Sequence, residues 1–280
     1  MKPVYSGKVR EIYEVSQERL VIVTTDRVSA FDHILPATVP GKGIVLNRIS
    51  NFWFEKVRRI VPGHVVSDRQ EDMPEYFRGE EFAGRVTLVE KLKMLPLEFI
   101  VRGYCFGSMW EACRKGEDFC GIALPGKYRQ AEKLERPLLT PARKWDREHD
   151  EPISMGQLRE MLGGELAGRI EELCLALYEL GSGYALERGL IIADAKFEFG
   201  QNSQGELVLA DELFTPDSSR FWDKGVYRVG NSPPCYDKQV LRDWLAAHEE
   251  GGEMPFDKVP EELLARMGEI YRECLERIVG

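Results

Sequence analysis

The most chemically loaded stretch of this 280-residue chain is Leu190-Ile-Ile-Ala-Asp-Ala-Lys-Phe-Glu-Phe-Gly200. Read as a strand, it puts Asp194, Lys196 and Glu198 on one face and Ala195, Phe197 and Phe199 on the other. Three charges on one face of an apolar strand are costly unless that face is wet or holds a ligand. The next strand stretch, 206–213, brings in Asp211 and Glu212, and its exit loop adds Asp217 and Arg220. Carboxylates converging across a hairpin suit Mg²⁺, which takes one or two protein carboxylates plus phosphate oxygens of a substrate. The turn at 200–205 leaves the register open. The tightest hairpin sets Asp194 opposite Asp211, and a looser one brings Glu198 closer to Asp211.

Three other stretches offer groups for anions. Ser6-Gly-Lys-Val-Arg10 places Lys8 and Arg10 behind Gly7, an arrangement that suits a hairpin flap over phosphates. It lacks the spacer and the Ser/Thr of a Walker A loop, and alone it reads more readily as basic residues on a solvated strand. Thr25-Asp-Arg-Val-Ser-Ala-Phe-Asp32 follows an apolar strand, where ligand loops tend to sit, although an Asp turn with a surface salt bridge gives the same pattern. The strand ending at Arg102 is followed by Gly103, Gly107 and Ser108. Ser108 is placed to cap the next helix and Arg102 to grip a carboxylate or phosphate.

These groups need a scaffold of mixed elements. Strands are expected over 8–15, 19–25, 84–93 and 98–102, a helix over 47–59, and a short helix over 108–115. Residues 116–153, rich in Gly, Pro and charge, read as a long loop. A leucine stripe from Leu158 to Leu180 marks the longest helical stretch, 157–188, with breaks expected at Gly163-Gly164 and Gly181-x-Gly183. The 190–213 hairpin and two closing helices, 237–248 and 260–278, complete the chain.

Composition narrows the function. Hydrophobic residues are 43% and charged residues 30%, with a net charge of −9, which argues against a general nucleic-acid binder or an anionic-lipid binder. No apolar run reaches the roughly 20 residues of a bilayer span, and the first residues lack a secretory apolar core, so a cytoplasmic protein is expected. The six cysteines form no C-x-x-C pair and are expected to be reduced thiols. The four histidines are scattered, so a hard cation on carboxylates is favoured over zinc.

Taken together, GKVREIYEV, TDRVSAFD, PGKGIVLNRISNFWF, VRGYCFGSMW, EHDEPIS, ADAKFEFG, DELFTPDSSRFW and SPPCYDKQVLRDW resemble, in order, the SAICAR synthase family. The resemblance implies an α+β, two-lobed fold. A small β-rich lobe, 1–93, would cover ATP, and a larger α/β lobe, 94–280, would carry the substrate and metal sites. It implies a ligase of purine synthesis that joins 5-aminoimidazole-4-carboxylate ribonucleotide (CAIR) and L-aspartate, with ATP, to give SAICAR, ADP and phosphate. The route implied is an acyl phosphate on the CAIR carboxylate.

Residue by residue, the resemblance puts Gly7, Lys8 and Arg10 over the ATP phosphates and Glu90, Lys91 and Leu92 against the adenine. Asp32, Arg102, Ser108 and Arg220 are implied on the substrate side. Glu198 and Asp211 are implied as Mg²⁺ ligands, and Lys196 and Asp217 as catalytic groups. Part of the 26–32 loop would meet the aspartate. The chain departs from the family in Thr140-Pro-Ala-Arg-Lys-Trp-Asp-Arg-Glu-His-Asp-Glu-Pro-Ile-Ser154, where Trp145, Arg147 and Pro152 are atypical, so no roles carry over to Arg143 or Lys144. Partners are expected to be small molecules, with no nucleic acid or membrane, and a homo-oligomer is compatible with the sequence. A small-molecule kinase is the rival enzyme, and it would not consume aspartate. A silent nucleotide-binding protein would lack the charged positions seen here.

Overall fold

The computed structural model describes residues 1–31, 33–124, 128–144, 150–249 and 252–280. In chain order the elements are β1 (Tyr5–Ser6), β2 (Arg10–Glu14), β3 (Arg19–Thr24), β4 (Arg27–Ala30), β5 (His33–Thr38), α1 (Lys42–Val57), β6 (Val65–Ser67), β7 (Val86–Glu90), β8 (Lys93–Met94) and β9 (Leu97–Cys105). There follow α2 (Ser108–Lys115), β10 (Glu132–Arg143), β11 (Glu151–Pro152), α3 (Met155–Leu162), α4 (Gly164–Glu187), β12 (Leu190–Gln201), β13 (Leu207–Ala210), β14 (Ser219–Asp223), α5 (Gln239–Ala247) and α6 (Glu261–Val279). The fold is α+β.

Two main sheets organise it. One runs β1-β2-β3-β7-β6, and the other runs β11-β10-β9-β12-β13, with β14 and β8 also paired to β12. The named strand pairs are antiparallel. The segment 62–64 stitches the sheets together through the main chain. Pro62 O accepts from Leu209 N, His64 N donates to Leu209 O, and His64 O accepts from Glu90 N, all at 2.8–2.9 Å. The largest apolar cluster joins α1, α4, α5 and α6 to β9 and β12, with Trp53, Phe197 and Phe214 fully buried. Among the described residues no helix is long and apolar enough to cross a membrane.

Several expectations are corrected. Residues 132–143 form a long strand rather than a loop. Pro137 and Pro141 mask it in the sequence, and its register against β9 shifts between Lys133 and Leu138, so the prolines sit at or after an irregularity. The expected long helix breaks at Gly163, where φ is 83°, but runs unbroken through Gly181 and Gly183. Gly181 is there for contact, since a Cβ would lie 2.5 Å from the Phe214 ring. Helix α1 starts five residues before the expected Asn47. Asp26 brackets its first turn by accepting from Gly41 N at 3.3 Å and Gly43 N at 2.8 Å, and a Cβ on Gly43 would collide with the Thr24 carbonyl. All six cysteines are free thiols, four of them buried.

Candidate active site

The site is a cavity of about 1100 Å³ bordered by both sheets. The charged face of β12 forms part of its wall, because alternation sends Ala195, Phe197 and Phe199 into the core. The 202–206 turn is the looser one. Asn202 Oδ1 accepts from Gln204 N and Glu206 N, and Glu198 falls opposite Ala210. Glu198 and Asp211 therefore lie side by side. Asp211 directly follows β13 in a left-handed conformation, with φ of 61°.

Lys196 is the hub. Its Nζ lies 2.7 Å from Glu198, 3.1 Å from Glu98 and 3.4 Å from Asp211. Burial works against its charge, but Glu198, Asp211 and Glu98 outweigh burial and hold its pKa well above the ordinary lysine value. Glu198 also takes Lys144 Nζ at 2.7 Å. Arg10 arrives from the glycine hairpin, with Nη1 on Asp211 at 2.8 Å and Nη2 on Glu212. Burial pushes the Asp211 carboxyl up, yet Arg10, Lys196 and Lys144 together hold it well below the usual carboxylate range. Burial also drives the His64 imidazole down to about 4, so it is neutral and buried beside the Asp211 backbone, to which it hydrogen-bonds.

The other expected residues divide by place. Gly7, Lys8, Glu90, Leu92 and Asp217 line the cavity. Leu92 lies in the short passage from β7 to β8, where the chain crosses from one sheet to the other. The Lys91 side chain turns instead to Glu14 at 2.6 Å. Arg102, Ser108 and Arg220 form a second cluster, two residues along the same face of β12 and outside the cavity lining. There Asp194 stands directly across from Arg102 on one neighbour strand and from Arg220 on the other. Arg220 Nη1 bonds its carboxylate, and Arg102 Nη1 approaches at 3.5 Å. Arg102 Nε donates to Thr140 Oγ1 at 3.0 Å. Ser108 is not a cap: Gly107 precedes the helix, and the Ser108 hydroxyl accepts from Arg102 Nη2 at 3.3 Å. Asp32 lies outside the described residues, as do Trp145 and Arg147.

Sequence reasoning missed four participants. Glu98 and Lys144 complete the network at Lys196 and Glu198. Lys42 and Tyr271 grip Asp217, each at 2.7 Å. The Gly-Lys-Gly at 41–43 was the one available signal for Lys42, and nothing in the 260–278 helix pattern singles out Tyr271. In the 26–32 loop, Asp26 and Arg27 serve structure: Arg27 ties Glu11 at 2.7 Å and the Gly7 carbonyl at 3.0 Å. Ser29 faces the cavity.

Residues 3–259 match the sequence profile of the SAICAR synthetase family. This chain belongs to the SAICAR synthetase family. It is 47% identical over 276 residues to the phosphoribosylaminoimidazole-succinocarboxamide synthase of Methylococcus capsulatus, covering 98% of this chain and 93% of that one. It is 43% identical over 281 residues to the Chromobacterium violaceum protein of that name, covering 100% and 99%. The fold is similar to a SAICAR synthase from Saccharomyces cerevisiae complexed with SAICAR (TM-score 0.91, 39% identity, 100% of this chain and 95% of the other). It is also similar to a SAICAR synthetase in complex with ADP (TM-score 0.73, 26% identity, 99% and 97%). Membership makes the protein an enzyme, a carbon–nitrogen ligase of purine synthesis.

The donor set fits a hard divalent cation under one condition. Glu198 and Asp211 supply hard oxygens, but no group of three or more His, Cys, Asp or Glu among the described residues could hold a metal. Among the described residues seven carboxylates and five cationic side chains line the cavity, so a polyphosphate entering it meets a surplus of negative charge from them. Glu198 and Asp211 would hold such a cation together with a bound phosphate, and its charge would remove both difficulties.

Proposed function

We propose that the protein joins CAIR and L-aspartate at the expense of ATP, giving SAICAR, ADP and phosphate. The observation that carries this reading is the convergence of Arg10, Lys144 and Lys196 with Glu198 and Asp211 on one cavity wall. Such an array suits bringing one anion, a carboxylate, to another, a phosphate, because the cations offset the charge that otherwise keeps them apart. The complexes of relatives with SAICAR and with ADP support the same pair of ligands.

On this reading residues 1–93 cover ATP and residues 94–280 carry the CAIR and metal sites. Gly7, Lys8 and Arg10 lie over the phosphates, and Glu90, Lys91 and Leu92 meet the adenine, the lysine through its main chain. Arg102, Ser108 and Arg220 hold the nucleotide substrate. Glu198 and Asp211 hold Mg²⁺, which when bound offsets phosphate charge and aligns the γ-phosphoryl group. A carboxylate oxygen of CAIR attacks that phosphorus and ADP leaves. The aspartate amine then attacks the acyl carbon, loses a proton, and phosphate departs with one former carboxylate oxygen. Lys196 stays protonated throughout and faces the carboxylate. The reaction belongs in the cytoplasm and needs no nucleic acid or membrane.

The test is ADP production with CAIR, with and without L-aspartate, using ¹⁸O in the CAIR carboxylate. Both substrates should be required, and one labelled oxygen should appear in the released phosphate. Label kept wholly in the imidazole product would rule out the acyl phosphate, and steady ADP release without aspartate would point to a kinase or an ATPase.

A further inference from the structure

Asp217 lies on the cavity wall, yet both of its oxygens are gripped from behind. Tyr271 Oη donates to Oδ1 and Lys42 Nζ donates to Oδ2, each at 2.7 Å. Neither partner lines the cavity, and both are buried, Lys42 at 1% exposure and Tyr271 at 0%. Lys42 Nζ also donates to the Arg27 carbonyl at 3.2 Å and stands 5.5 Å from the centre of the Tyr271 ring. Three distant parts of the chain, α1, the loop after β13 and α6, therefore meet at one carboxylate.

A buried ion pair is an expensive way to hold a fold together, and apolar residues of similar volume often do it as well or better. The arrangement gains sense from what it leaves on the cavity side. A carboxylate has about four lone-pair sites, and the two donors behind Asp217 occupy about half of them. The charged groups around it are Glu212 from the same loop and Arg10, Asp237 and Lys238 from other parts of the chain. Burial raises the Asp217 carboxyl, but Lys42 and Lys238 hold it well below the usual carboxylate range. A carboxylate so held accepts hydrogen bonds and is a poor base.

We propose that Lys42 and Tyr271 are positioning residues that fix Asp217 as an ionised acceptor for the ammonium group of the amino-acid substrate. Aspartate as that amino acid rests on the function proposed above. The C-terminal helix thereby belongs to the reaction machinery, although Tyr271 lies beyond the residues matched to the family profile.

The test is a double-mutant cycle of Tyr271→Phe and Asp217→Asn, followed by steady-state kinetics and by urea unfolding. Tyr271→Phe removes one hydroxyl and keeps the ring beside Lys42. The expected result is a KM for L-aspartate raised about tenfold, as for one hydrogen bond to a charged group, with KM for ATP and CAIR changed less than about twofold. The double variant should be no worse than Asp217→Asn alone. Equal rises in all three KM values, or additive losses in the double variant, overturn the proposal. Coupling in urea without coupling in the kinetics makes the contact structural and also overturns it. A wild-type enzyme that consumes no L-aspartate removes the amino-acid assignment along with the reading it rests on. The urea cycle then decides the positioning alone, and absence of coupling there rejects it.

Discussion

Arg10 and Asp211 are 201 residues apart in the chain and 2.8 Å apart in space. The contact latches the glycine hairpin onto the proposed metal ligand, so Arg10 and a divalent cation would compete for the same carboxylate. Removing the guanidinium should therefore have opposite effects on two ligands. Arg10→Ala should weaken ATP binding in the presence of Mg²⁺ by about ten- to a hundredfold, the worth of a charge-assisted contact. The same change should tighten Mn²⁺ binding measured without nucleotide. Electron paramagnetic resonance titration of free Mn²⁺ checks the second effect and calorimetry the first. Weakening of both would mean that Arg10 organises the site instead of competing for it.

The Arg102–Asp194–Arg220 cluster makes a separate expectation, because it lies outside the cavity lining. Arg102→Ala and Arg220→Ala should each weaken CAIR binding by roughly ten- to a hundredfold while ATP affinity stays near the wild-type value. Arg102→Ala should also lower stability more than Arg220→Ala does, because Arg102 is the more buried of the two and supports Thr140 and Ser108. Calorimetry with each ligand and a thermal melt of each variant are sufficient. Unchanged CAIR affinity with lost ATP affinity would reverse the assignment.

Acid should find the Lys42–Asp217 pair. The folded-state pKa of Asp217 lies below its unfolded value, so the stability it contributes is fully present above about pH 4. That stability is lost as pH falls through the folded value, because the unfolded chain binds the proton first. Wild-type unfolding free energy should drop steadily below about pH 4, and Asp217→Asn should flatten that limb by on the order of 2 kcal/mol. Urea melts from pH 6 to pH 2 give the comparison, and parallel limbs in the two proteins would contradict it.

The charged face of β12 was legible in the sequence because a strand has a period of two and its other face is unmistakably apolar. The pairing of that face was not legible. The sequence leaves open whether Asp194 or Glu198 neighbours Asp211, and the 202–206 turn decides it by setting Glu198 opposite Ala210 while two arginines flank Asp194. Register depends on turn geometry and on strands from elsewhere in the chain, and neither shows in local periodicity. The strand 132–143 was hidden for another reason. Its two prolines and run of charges mimic a loop, and its partners, β9 along most of its length and β11 at its end, come from elsewhere in the chain. Gly181 misled in the opposite direction, since the Phe214 ring that fills its missing side-chain space lies 33 residues away. Lys42 and Tyr271 belong to the same class, because their meeting at Asp217 is a product of tertiary packing alone.

The stitch at Pro62, Gly63 and His64 has a kinetic consequence. Two main-chain hydrogen bonds tie this segment to Leu209 and one ties it to Glu90, so the two sheets are linked directly beside the cavity. The weakest piece of the rim is β1, two exposed residues at a sheet edge, leading into the Gly7 turn that Arg10 fastens. Lifting of that edge would open the cavity on this side, and it would set the pace of turnover if product leaves that way. Turnover should slow in proportion to added viscogen, and loosening the fastening at Arg10 should abolish that dependence.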